Sequence, residues 1–247
     1  DTLYIIDAPR ITEGTVKGTA DEVVLNIQDT GIDSNYAATY WPWVQLEDQT
    51  NGKFVYIPPT AEVVKSIALT DNVAFPWFAP AGINRGTTSR SIRRADIKLS
   101  QADRDTLYDG RVNPIATFVQ NGVVIYGQKT LQVRQSALDR INVRRLFLSL
   151  ERPTKQLARQ FVFEQNSEFT RTRLVNALTP LFERAKNNEG LFDYLIVCDE
   201  RNNTPAVIDA NELVVDIYLK PTRTAEFILV NFYATRTDAN FQELVGG

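Results

Sequence analysis

The chain has 247 residues, 43% of them hydrophobic and 23% charged, with 27 basic against 30 acidic side chains and a net charge of -3. That composition belongs to a globular chain with room for one large domain or two smaller ones, and it excludes a disordered or fibrous polymer and a globally basic nucleic-acid binder. The absence of histidine removes the triad base, the imidazole metal ligand and the proton shuttle near neutral pH, and with them many enzyme classes.

The first apolar run, Leu3 to Ala8, is ended by Pro9 and reads as a buried strand with Asp7 at its carboxyl end. Residues 19–28 follow as a helix. Tyr36 to Leu46 is aromatic and strand-like with Pro42 inside it, and the turn at Asn51-Gly52 returns the chain into a strand over Lys53 to Ile57. Pro58-Pro59 breaks that strand, after which Thr60 is placed to cap a helix reaching Thr70. Irregular chain follows to Gly86, and Ser100 opens a short helix ending near Gly110. The predicted domain boundary lies near residue 95, dividing the chain into 1–95 and 96–247.

Beyond it, Pro114 to Val119 and Val123 to Tyr126 flank Asn121-Gly122, a hairpin signal. From Ala137 the periodicity turns helical, with Val143, Leu146, Phe147 and Leu150 on one stripe and Pro153 predicting a kink. Ser167 caps a second amphipathic helix through Leu174, Leu178 and Phe182. Tyr194 to Cys198 is an apolar strand, and two more strands, Leu213 to Leu219 and Phe227 to Tyr233, pattern as a C-terminal hairpin. The predicted fold is α/β to α+β, with mixed sheets flanked by helices in two sub-domains. From about residue 234 the chain is a polar extended arm with Phe241 and Leu244 as apolar anchors.

Catalytic signatures are missing: the chain holds no phosphate-binding loop, nucleophile elbow or paired-cysteine metal spacing. Cys198 lies in an apolar strand with no base to activate it, and reads as a buried structural residue. The acids Asp199, Glu200, Asp209 and Glu212 lack the spacing of a calcium loop and fit loop-end solvation or ion pairing. No cofactor or metal is expected. Arg85, Arg90, Arg93 and Arg94 form the densest basic stretch, but without interleaved aromatics they fit a charged interface better than a nucleic-acid site. Arg144 and Arg145 are expected on the polar side of their helix, as solvated or ion-paired groups. The closing hairpin reads either as a plain core element or as an exposed sheet edge with a detachable strand, suited to strand addition between subunits.

Several stretches in order carry a resemblance to a known family: Tyr36-Ala37-Ala38-Thr39-Tyr40-Trp41-Pro42-Trp43-Val44, Tyr56-Ile57-Pro58-Pro59-Thr60, Phe78-Ala79-Pro80-Ala81-Gly82, Asn113-Pro114-Ile115, and Gly127-Gln128-Lys129-Thr130-Leu131. Ile141-Asn142-Val143-Arg144-Arg145-Leu146-Phe147, Phe163-Glu164-Gln165-Asn166 and Asn202-Asn203-Thr204-Pro205 continue it. Over residues 34–233 this order resembles the contractile phage tail sheath family. The resemblance implies a non-enzymatic virion subunit, made in the host cytoplasm, that stacks in hexameric rings around a tail tube and contracts to drive that tube through the host envelope. It implies other sheath subunits, the tube protein, and baseplate and tail terminator proteins as partners, with neither nucleic acid nor membrane among them.

On this basis Leu213, Val215, Ile217, Leu219, Phe227 and Leu229 are expected in an intersubunit sheet, with Phe241 and Leu244 pinning the arm. Arg144, Arg145, Arg171 and Arg173 are expected at tube or neighbour contacts. Family members carry a long N-terminal region with a partner arm, whereas this chain begins at a strand; by itself it is expected to stay monomeric. A nucleic-acid module built on Arg85 to Arg94, or an α/β hydrolase, are the alternative functions.

Overall fold

The computed structural model describes residues 2–13, 16–226 and 228. Strand β1 (Tyr4–Asp7) is followed by a small hairpin of β2 (Thr12–Glu13) and β3 (Val16–Lys17), then helix α1 (Ala20–Asp29). Thr19 and Glu22 close a reciprocal capping box at the start of α1, which satisfies two of its free N–H groups. The helix returns the chain to β4 (Ala37–Trp41), which pairs parallel with β1. Every residue of β4 is buried, as a central parallel strand covered on both faces requires.

The sequence predicts one strand across Tyr36 to Leu46, but the structure breaks it at Pro42, which has no N–H to give a ladder. The second half becomes β5 (Val44–Asp48) in a different sheet, between the antiparallel β6 (Lys53–Ile57) and β7 (Ile92–Ala95). Helix α2 (Thr60–Val73) also departs from expectation: its capping position is Pro59, and Thr60 is its first helical residue. The cap is supplied from afar. The Thr60 hydroxyl and N–H both donate to the Asp7 carboxylate, at 2.5 and 3.3 Å, so the strand-end acid holds the positive end of α2.

A short helix α3 (Gly82–Arg85) precedes β7, and α4 (Gln101–Asp109) begins at a second capping box, Ser100 with Asp103. Strand β8 (Val112–Phe118) then pairs parallel with β4 and antiparallel with β9 (Gly122–Ile125), giving the order β1-β4-β8-β9. On one face Ala37, Trp41 and Val112 pack against α1 and α4; on the other, Ala38, Tyr40 and Ile115 meet the second sheet and α2. Hydrogen bonding and both clusters therefore run across residue 95, where the sequence suggests a boundary.

Helix α5 (Ile141–Ala158) starts after a single tight turn at 137–139 and stays helical through Pro153. α6 (Glu168–Asn187), capped by Ser167 as the sequence predicts, packs along it. Then come β10 (Leu191–Val197), the short α7 (Pro205–Asp209) and β11 (Asp216–Pro221). Leu146 and Leu150 of α5, Leu174, Leu178 and Phe182 of α6, and Leu191 form a third core cluster. Among the described residues the partner of β11 is β10, antiparallel. Phe227, Leu229 and the rest of the predicted second strand and arm lie outside the described residues.

Candidate assembly surface

Sheet β10–β11 is a two-stranded ribbon laid on α6. Residues paired across it alternate between faces, so Tyr194 with Leu219 and Ile196 with Ile217 point toward the helix. Leu213 and Val215 pack against the same cluster. Four of the side chains expected at an intersubunit sheet are thus turned into the chain's own core. The opposite face is apolar and open: Phe192, Leu195 and Tyr218 are 78%, 56% and 60% exposed, with Leu195 and Tyr218 directly paired. Both long edges of the ribbon lack a strand partner among the described residues. A two-stranded sheet with open edges and an apolar outer face is poised to gain strands from another chain.

A polar cluster sets the ribbon's position. Asn203, 2% exposed, donates to the Val214 carbonyl at 2.9 Å and accepts from the Val214 N–H at 2.9 Å, fixing the backbone just before β11. Asn202 donates to the Val197 carbonyl at 2.8 Å and to Asp216 at 2.9 Å, tying the two strands at one end. From the other side Asn166 donates to the Glu212 carbonyl at 2.7 Å and accepts from Arg171 at 3.0 Å. Two stretches far apart in sequence, 163–166 and 202–205, meet here to hold one segment. Both stretches carry the family resemblance, but residue type alone assigns their asparagines no role; in the structure their side-chain amides act as both donor and acceptor toward a backbone strand.

The other predicted residues fall as follows. Arg144, Arg145 and Arg171 are buried; of the two readings for Arg144 and Arg145, solvated or ion-paired, the structure shows the ion-paired one. Arg144 donates to Glu151 and Asn35 and lies over the Tyr36 ring at 4.2 Å; Arg145 pairs with Asp71. Removing one partner from such a pair leaves an uncompensated buried charge, so these arginines hold the fold. Arg173 alone of the four is open, 54% exposed, with Glu164 4.0 Å away.

In the basic stretch, Arg85 donates to the Ala79 carbonyl, Arg93 pairs with Glu47, and Arg94 donates to Gln45 and Tyr56. These three guanidiniums are thus engaged within the chain, one of them with a carboxylate. Cys198 is 7% exposed, and burial raises its thiol above the ordinary range against the opposing pull of Arg171 and Asn203, which leaves it a poor nucleophile. Asp199 is tied to Arg201 in a bidentate pair that lowers its carboxyl. A separate apolar groove of about 490 Å³ opens between β1, α2 and α5.

Residues 134–235 match the family described as phage tail sheath C-terminal domain. The chain is 40% identical over 224 residues to the tail sheath protein of Vibrio phage KVP40, covering 90% of this chain and 32% of that protein. It is 38% identical over 234 residues to the tail sheath protein of Enterobacteria phage T4, covering 94% and 34%. It thus spans about a third of the length of these curated relatives. Among solved structures it is similar to the sheath complex of an extracellular contractile injection system, PVC, in the contracted state, with TM-score 0.80, 26% identity, and coverage of 94% of this chain and 63% of that one. The baseplate structure of the anti-feeding prophage shares the fold, with TM-score 0.76 at 22% identity over 95% of this chain and 60% of that one.

Proposed function

We propose that this chain, 38–40% identical to phage tail sheath proteins over 90% or more of its length and matching the phage tail sheath C-terminal domain over residues 134–235, is a structural part of a contractile tail sheath, made in the host cytoplasm and functioning in the virion tail. It packs with further sheath subunits in stacked rings around a tail tube, meets baseplate and terminator proteins at the two ends, and carries out no catalysis. Contraction rearranges contacts between copies, whose packed interfaces have discrete alternative states. The observation that carries this is the β10–β11 ribbon, with its inner face spent on the chain's own core, its outer face exposed, and its edges without a strand partner among the described residues.

The contact is made by backbone edges and by Phe192, Leu195 and Tyr218, while Leu213, Val215, Ile217 and Leu219 hold the ribbon to α6. Phe227, Leu229, Phe241 and Leu244 remain the proposed contribution of the segment beyond the described residues. The inner, assembling unit is drawn from about residue 134, because β8 and β9 belong to the sheet of β1 and β4. Nucleic-acid binding through Arg85 to Arg94 and hydrolysis at Asp7 or Cys198 lack support, since Asp7, Arg85, Arg93 and Arg94 are engaged within the chain and the Cys198 thiol is buried.

The test is a chimera in which this chain replaces the matching third of the Vibrio phage KVP40 tail sheath protein. Substituting Leu195→Asp and Tyr218→Asp there is expected to leave the thermal melting midpoint unchanged, since both side chains are exposed, and to cut tube formation at least about tenfold by placing charge in an apolar contact. Tubes in wild-type yield from the doubly substituted chimera would remove the ribbon from the interface.

A further inference from the structure

The loop between α5 and α6 projects an aromatic side chain that the fold does not use. Phe163 is 100% exposed, and its φ of 72° places it in the left-handed region that a bulky residue avoids. A glycine there would adopt the same backbone without strain, so the aromatic ring is held outward at a cost. Val162 beside it is 59% exposed and Phe169 71% exposed. Arg173 braces the base of this knob, its guanidinium 5.7 Å from the rings of both Phe161 and Phe169. Glu164 stands next to the ring, half exposed and only loosely paired.

The complementary feature is the groove between β1, α2 and α5. Ile5, Val64, Ile67 and Leu148 line it, its volume of about 490 Å³ exceeds that of one aromatic side chain, and Val64 is 51% exposed at its mouth. Arg152, exposed at the rim, has no ion pair among the described residues. A convex apolar knob with an acid at its shoulder thus matches a concave apolar groove with a base at its rim. Both lie along α5, the groove at Leu148 to Pro153 and the knob just past the helix end, on one rigid element.

We propose that Phe163 of one copy seats in this groove of a second copy, with Glu164 meeting Arg152. This deepens the sheath reading by naming a contact between copies that uses neither the β10–β11 ribbon nor a terminal arm. The contact is weak alone and accumulates in an array, where neighbours hold each other at high effective concentration.

The experiment is sedimentation velocity of the 247-residue chain across concentrations up to about 1 mM, the weak end of specific association. Two variants each destroy one half of the contact: Phe163→Gly removes the knob and its backbone strain, and Val64→Asp charges the groove. The wild-type chain is expected to show a sedimentation coefficient that rises with concentration. Each variant alone is expected to stay monomeric, Phe163→Gly with no loss of melting temperature. Mixed in equal amounts, the two should regain association, because the Val64→Asp copy still offers a knob and the Phe163→Gly copy an intact groove. A wild-type chain that stays monomeric throughout, a Phe163→Gly variant that associates like wild type, or a mixture that does not associate would each overturn the contact. None of these outcomes touches tube formation by the chimera, so failure of this contact and failure of the sheath assignment are read separately.

Discussion

Replacing Asn113 by alanine is expected to destabilise the chain by about 3–5 kcal/mol, a large share of a domain's total stability of about 5–15 kcal/mol. Asn113 is fully buried on β8. Its amide donates to the Thr39 carbonyl at 3.0 Å and the Lys129 carbonyl at 2.8 Å, and its oxygen accepts from the Lys129 N–H at 2.6 Å. One side chain therefore ties the central strand β4 to the segment that leads into α5. Alanine fills none of these roles and removes the partner of the Lys129 N–H and of two carbonyls, where each buried group left unpaired costs about 1–3 kcal/mol. Asn113→Asp should be no milder, since it keeps the acceptor but aims a carboxylate at two carbonyls. Urea denaturation checks this directly; a loss below about 1 kcal/mol would mean that water replaces the amide at little cost.

Asn203→Ala is the second large effect, expected at about 2–4 kcal/mol. Here the lost bonds are the two-way exchange with Val214 and the donation to the Asp199 carbonyl at 3.2 Å. The consequence is local as well as global, because Val214 leads into β11 and Asn203 sets where that strand starts. Native-state hydrogen exchange should show the Val214 amide losing protection before the amides of the third core cluster do. Thr204→Ala is the control: although Thr204 occupies the capping position of α7, its side chain makes no cap hydrogen bond, and the change should stay within about 0.5 kcal/mol. An Asn203→Ala chain as stable as the control, with Val214 still protected, would contradict this account of the ribbon.

These two asparagines mark the limit of what the sequence disclosed. Local signals were legible: Thr19, Ser100 and Ser167 start helices, and Asn51-Gly52 and Asn121-Gly122 turn hairpins, because each acts within a few residues of chain. Long-range choices were not. Alternation over Leu213 to Leu219 announces a strand but does not name its partner; among the described residues that partner is β10, whose paired residues lie 19 to 30 positions earlier. Thr60 looked like a cap because the residue type suits one, yet Asp7, 53 positions away, supplies the acceptor.

The burial of Arg144, Arg145 and Arg171 is hidden from the sequence for a different reason. Amphipathic patterning counts arginine as polar, while its long stem packs in apolar surroundings and its guanidinium needs only nearby acceptors. Glu151, Asp71 and Asn166 provide them. The candidate site was legible as a region and misassigned in detail: the closing strand was recognised, but alternation cannot say which of its two faces meets the core. Several motifs that carry the family resemblance, those of Asn113, Asn166 and Asn202-Asn203, are places where polar side chains lock separate stretches of backbone together.

Negative-stain electron microscopy of the chimera, in which this chain replaces the matching third of the Vibrio phage KVP40 tail sheath protein, tests the central claim most directly. Hollow, ring-striated tubes like those of the unmodified relative under the same conditions are the predicted result. Dispersed particles from a folded chimera, where the relative forms tubes, would contradict a sheath role for this chain.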